Sequence, residues 1–245
     1  WIGNPGAYGT YGIAKLLSGE VLPSGHLPDT FAVNTALSPA AQNLGVFVFA
    51  NTGDIETTTN NALRSDWYLA ELEGIYSGYK YYETRYYDSV AGQGGAGGGG
   101  WTYDGDVSYT FGYGVEGSSF SEEITASDID WSGEKDSTVT VKVTNTGSNA
   151  AKHVVQLYVS VPYTDYDKQN GVEKSAVELV GFTKTKELAA GESETVTVTV
   201  PKSVMRAYDA KGAKTYIVDA GTYYFAAGEN AHAVLNNILA AQNYA

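Results

Sequence analysis

The sequence predicts a two-part α+β chain, a mixed helix-and-strand portion followed by an antiparallel β-sandwich. Three observations predict it. Residues 7–17 place Ile13, Ala14, Leu16 and Leu17 on one face at helical spacing. The runs Ser137–Val143 and Glu194–Val200 alternate valine with polar residues, the period of a half-buried strand. Near residue 116 the text changes from aromatic loops and short apolar runs to closely spaced strands and turns. At 245 residues the chain is long enough for one or two cored domains.

In chain order, Trp1-Ile2-Gly3-Asn4-Pro5-Gly6 reads as a strand end entering a turn. Pro5 fixes φ there, and Gly6 can take positive φ. Gly9 and Gly12 let the following helix lie close against a neighbour, and Gly19 suits its left-handed C-terminus. Leu22 to Phe31 then forms a stiff loop, held by Pro23, Gly25 and Pro28 and anchored by Phe31. Val46–Phe49 reads as a short apolar strand. An aromatic stretch carries Tyr79, Tyr81, Tyr82, Tyr86 and Tyr87. Seven of the nine residues Gly92–Gly100 are glycine, which predicts a flexible loop. It lacks the Lys-Ser/Thr and the strand–helix setting of a phosphate cradle. Asn145-Thr146-Gly147 and Ala190-Gly191-Glu192 are turns between strands, and Gly228–Ala241 closes as a helix. Because the chain opens in mid-motif, it reads as a piece of a larger protein.

The motifs resemble family 3 glycoside hydrolases. Trp1, Gly3, Pro5, Gly6 and Gly9 match that family's W-x-G-x-P-G-x-x-G run. Leu22, Pro23, Ser24, Gly25, Leu27, Pro28, Thr30 and Phe31 match its L-x-P-S-G-x-L-P-x-T-F run. Glu73–Thr84 is similar to its E-G-I-Y-x-G-Y-R-Y-Y/F segment. Tyr109–Gly114 is similar to its Y-P-F-G-Y-G segment, with Thr110 in place of the proline and the following L-S-Y degraded to Val115-Glu116-Gly117. Val141–Gly147, Val154–Val159 and Glu178–Lys184 resemble the fibronectin-III-like domain that follows. The resemblance implies three parts. Residues 1–116 would be the C-terminal portion of the α/β sandwich domain. Residues 117–230 would be the fibronectin-III-like domain. Residues 231–245 would be a helical linker toward a missing domain. The terminal helix resembles the rearranged subgroup, in which these domains precede the catalytic barrel.

Composition narrows the partners. Net charge is −13, with 15 basic against 28 acidic residues, which argues against nucleic acid and anionic membrane surfaces. No apolar run approaches the ~20 residues of a membrane span. The absence of cysteine excludes a disulfide scaffold and a thiolate metal site. His26, His153 and His232 are scattered singly without ligand spacing, so no metal or other cofactor is expected. Ser24 is not in a G-x-S-x-G elbow and reads as satisfying its loop backbone. The compartment is open between a cytoplasmic and a secreted bacterial protein.

Family chemistry uses a carboxylate nucleophile and a carboxylic acid/base, about 5–5.5 Å apart in retaining enzymes. The resemblance implies a retaining β-glycosidase, most commonly a β-glucosidase, acting on a small saccharide or β-glucoside. It places both carboxylates at positions this chain does not contain, so no catalytic residue is assigned. Glu71, Glu73, Glu83, Asp104 and Asp106 read as solvated or paired acids. Trp101 and Tyr103, carried beyond the glycines, are the expected substrate-binding residues at the rim of a sugar site. The Tyr79–Tyr87 stretch reads as domain packing. The required partner is the missing barrel, in the same protein or a second chain. The alternatives are a carbohydrate- or protein-binding β-sandwich module and a structural spacer.

Overall fold

Short elements precede the sandwich. They are helix α1 (Gly6–Ser18), strand β1 (Phe31–Ala32), helix α2 (Pro39–Asn43), strands β2 (Phe47–Val48) and β3 (Trp67–Tyr68), helices α3 (Tyr79–Val90) and α4 (Tyr103–Asp106), and strand β4 (Val107–Tyr109). The computed structural model describes residues 3–44, 47–51, 54, 67–68, 70, 72–132 and 134–244. The readings of Trp1, Ile2, Val46 and Glu71 lie outside the described residues. Helix α1 ends as expected, with Gly19 at φ 75° and its N–H on the Lys15 and Leu16 carbonyls. Its apolar face finds no cover among the described residues, and Leu17 is 84% exposed.

The stiff loop and the Tyr109–Gly114 run, far apart in sequence, are neighbours. Leu27 N–H donates to the Tyr113 carbonyl at 2.8 Å, and Gly112 N–H donates to that of Leu27 at 2.9 Å. Phe31 pairs with Tyr109 where β1 meets β4 antiparallel. Ser24 does not serve its own loop backbone. Its Oγ accepts from Lys184 Nζ at 2.7 Å, tying the loop to the sandwich.

The sandwich comprises β5 (Phe120–Asp128), β6 (Ser137–Asn145), β7 (Val154–Ser160), β8 (Glu178–Lys184), β9 (Ser193–Val200) and β12 (Tyr224–Ala227). A short helix α5 (Asp165–Asn170) follows β7, and a small hairpin, β10 (Ala207–Asp209) with β11 (Thr215–Ile217), precedes β12. One sheet has the order β5-β6-β9 and the other β12-β7-β8, all antiparallel. Period two is realised on β6, where Val139, Val141 and Val143 all point into the core with no exposure. Val155, Leu157 and Val159 of β7 meet them from the facing sheet.

β7 is buried on its other face too. Tyr158 packs there with Val177 and with Val234, Leu235, Ile238 and Leu239 of helix α6 (Ala231–Ala241). Tyr79, Tyr86 and Tyr87 of α3 complete this second cluster. Asn230 caps α6, its side chain accepting from Ala233 N–H at 2.9 Å. The tyrosine stretch is a helix, with Tyr79, Tyr82, Glu83 and Tyr86 at i, i+3, i+4, i+7. Residues 231–241 are helical, and the apolar face of that helix is buried against the sheet, where each large apolar side chain stabilises by roughly 1.5–3 kcal/mol. The packing also crosses the expected 116/117 boundary, since α3 and Phe111 share a core with the outer face of the β12-β7-β8 sheet.

Candidate functional site

The glycine-rich segment follows a defined path. Arg85 Nε donates to the Ala96 carbonyl at 3.1 Å, and Gln93 N–H to that of Asp88 at 2.7 Å. Gly94, Gly95, Gly99 and Gly100 take φ between 59° and 75°, which is why this turn sequence is glycine. The segment ends at Trp101, whose ring lies 4.5 Å under the Arg85 guanidinium. The indole N–H donates to Asp106 Oδ2 at 2.6 Å. Arg85 Nη1 also donates to the Tyr81 hydroxyl at 2.8 Å. Trp101 is thus half-buried and held at a fixed angle on the surface.

Tyr103 is not a rim residue. It is 7% exposed, stacked on His232 at 3.7 Å, and its hydroxyl donates to Glu83 Oε1 at 2.5 Å. Burial first, then the Glu83 charge and hydrogen bond, push the Tyr103 hydroxyl up, so it stays a donor. With its ring covered and its hydroxyl committed, it has no face left for a sugar. Glu83 is fully buried, and its second oxygen lies 2.9 Å from His232 Nδ1. Both Glu83 oxygens are therefore occupied, which withholds this carboxylate from acid/base or nucleophilic work.

The histidines are not isolated, contrary to the sequence reading. His153 Nδ1 lies 2.7 Å from Glu116 Oε1, and Nε2 lies 2.7 Å from Glu122 Oε1. Two carboxylates facing both ring nitrogens require both to carry protons. Desolvation alone would lower the His153 pKa, but the hydrogen bonds and charges of Glu116 and Glu122 outweigh it and raise it to about 9. Burial opposes ionisation of Glu116, yet its bonds to His153 and His26 hold it down at about 2. His26 Nε2 lies 3.3 Å from the same Glu116 oxygen. Its Nδ1 donates to the Gly112 carbonyl at 2.6 Å. This cluster joins the stiff loop, the Tyr109–Gly114 run and the sandwich. Among the described residues no group of three or more His, Asp or Glu stands as a metal site.

Sequence reasoning missed Arg85 and the meeting of His26 and His153 at Glu116; it read Glu83 as a solvated or paired acid, and Glu83 is paired, with Tyr103 and His232. Only the spacing of Tyr79, Tyr82, Glu83 and Tyr86 could have placed Glu83 and Arg85 on a helix.

Comparison with known proteins places these features in a family. Residues 153–231 match the fibronectin type III-like domain model. A β-glucosidase of Ruminococcus albus is 32% identical over 232 residues, covering 92% of this chain and 19% of its own length. A solved β-glucosidase from Paenibacillus barengoltzii superposes with a TM-score of 0.66 at 32% identity, over 91% of this chain and 20% of that one. The GH3 β-glucosidase of Bifidobacterium adolescentis superposes with a TM-score of 0.63 at 25% identity, over 91% of this chain and 26% of that one. The chain spans 19% to 24% of the length of the first curated relatives it matches.

Proposed function

The chain belongs to glycoside hydrolase family 3, and from that premise we propose that it works as a non-catalytic portion of a retaining β-glycosidase, most simply a β-glucosidase. The observation that carries this reading is the similarity to β-glucosidases over nine-tenths of the chain but about a quarter or less of their length. The site chemistry agrees with it. Glu83, the acid at the centre of the aromatic helix, is sealed and fully bonded. The acids Asp106, Glu116 and Glu122 are committed to Trp101 and His153. Bond cleavage would then fall to carboxylates of a barrel outside this sequence.

In this reading the α1 face and the groove beside it pack against the rest of the enzyme. The groove encloses about 760 Å³ and is walled by Leu16, Leu22, Phe31, Tyr109 and Tyr113. An uncovered apolar helix face beside such a groove is the mark of an interface. The His26–Glu116–His153 cluster would keep that interface at a fixed angle to the fibronectin-like sandwich. Trp101, braced by Arg85 and Asp106, would stand at the rim of the sugar site and contact the aglycone.

The test is an assay of the purified chain with an aryl-β-glucoside, alone and within the complete enzyme. The expected result is no turnover by the chain and turnover by the enzyme. Turnover by the chain that disappears on replacing one of its own acids would overturn the reading.

A further inference from the structure

A cleft of about 410 Å³ opens where the C-terminal ends of α3 and α6 meet the β7–α5 connection and the start of β12. Its size falls within the ~300–1,000 Å³ of small-molecule sites. Five tyrosines line it: Tyr76, Tyr87, Tyr163, Tyr224 and Tyr244. Each offers an apolar ring and a polar tip in one rigid side chain. Tyr87 is held in place, its hydroxyl donating to Gln242 Oε1 at 2.9 Å and its ring set edge-on to Tyr244 at 5.9 Å.

The polar groups of the cleft divide into used and unused. Lys174 is spent, with Nζ 2.7 Å from Asp167 Oδ2 and 2.5 Å from Asp219 Oδ2. Lys168 sits over the Tyr163 ring and pairs loosely with Asp165. Asp88 differs. Among the described residues its carboxylate has no hydrogen-bond or ion-pair partner, although it is half-buried in the cleft wall. Burial pushes its pKa upward. The hydroxyls of Tyr163, Tyr224 and Tyr244 are likewise without partners among the described residues.

We propose that this cleft binds a short neutral saccharide, its C–H faces against the tyrosine rings and its hydroxyls donating to the Asp88 carboxylate. The chemistry selects this class. A carboxylate without an ion-pair partner repels anions, and Lys174, the buried lysine of the cleft, is already occupied, while Lys168 lies over Tyr163 at the exposed edge. A purely apolar ligand would leave Asp88 desolvated and unbonded, at real cost. A polyol presents ring faces and hydroxyl donors together, which is what the lining offers partners for. The assignment rests on the residues of the cleft and not on the glycosidase reading.

The test titrates the full 245-residue chain with cellobiose, read by near-ultraviolet circular dichroism of the tyrosines and by calorimetry. Saturable binding is expected, weakened roughly tenfold by Asp88→Asn, because a bond to a charged acceptor is lost. Tyr244→Ala should weaken it to a similar degree. That ring is 44% exposed, so this variant tests the site even if the first one fails to fold. Tyr208→Ala, on the β10–β11 hairpin, should leave binding unchanged. The absence of saturable binding would overturn the proposal. So would binding that stays within about twofold in both cleft variants, or a tetramethylammonium ion that occupies the cleft and is not displaced by cellobiose.

Discussion

Replacing His153 by Gln tests the ionic cluster that joins the two parts of the chain. The side chain is 2% exposed and lies between Glu116 and Glu122, 2.7 Å from each. Its pKa is about 9 in the folded chain against 6.5 for the free group. A difference of that size corresponds to on the order of 3 kcal/mol. Because the folded pKa is raised, that stability is fully present below pH 6.5 and is lost as pH rises through about 9. Glu116, held at about 2 against 4.5, contributes above pH 4.5 and loses its contribution as pH falls through about 2. The cluster is therefore strongest between pH 4.5 and 6.5. The assay is urea unfolding of the parent chain and His153→Gln, followed by circular dichroism at about pH 6 and about pH 10. At the lower pH the variant should be less stable by about 3 kcal/mol or more, since it also leaves two buried carboxylates facing an uncharged side chain. At the higher pH the gap should narrow by most of that amount. Comparing the two proteins at each pH cancels the titration of groups that do not touch His153, and Glu116 and Glu122 belong to the cluster under test. A gap that is the same at both pH values would refute the charged-histidine reasoning.

Leu235→Ala empties a site with no exposure under α6, and should cost about 2–5 kcal/mol with a single unfolding transition. Two separate transitions in the parent chain would show that α6 and the sandwich are independent. Tyr103→Phe removes the donor to buried Glu83 and should lower stability by about 1–3 kcal/mol in thermal melts. A neutral result would place Tyr103 outside the polar core. In the complete enzyme, Trp101→Ala should raise KM or change aglycone preference while retaining the stereochemical outcome. Unchanged kcat/KM across several aglycones would remove Trp101 from the sugar site.

What could be read from the sequence followed which faces were buried. Strands β6 and β9 alternate because one face meets the core and the other meets solvent or a neighbouring polar row. Strand β7, Val154–Ser160, loses that alternation because helices cover its second face. Those helices were the harder inference. Helix α3 carries five tyrosines in twelve residues, a residue type with poor helix propensity, and tertiary contact with Tyr158 and Leu235 overrides it. The site residues divide in the same way. Trp101 stands half-buried at the end of the glycines, braced by Arg85 and Asp106, neither of which the sequence pattern marked as its partner. Tyr103 misled because its partner Glu83 lies 20 positions back on a helix the tyrosines disguised. His153 and Glu116 are 37 positions apart, and His232 and Glu83 are 149 apart. No local pattern encodes such pairs. They arise only when the stiff loop, α3 and α6 close onto the sandwich. The Glu116–His153 and Glu83–His232 contacts are therefore consequences of the docking geometry. A substitution that loosens α6 should disturb the Glu83–His232 pair before it disturbs the valine core between the sheets.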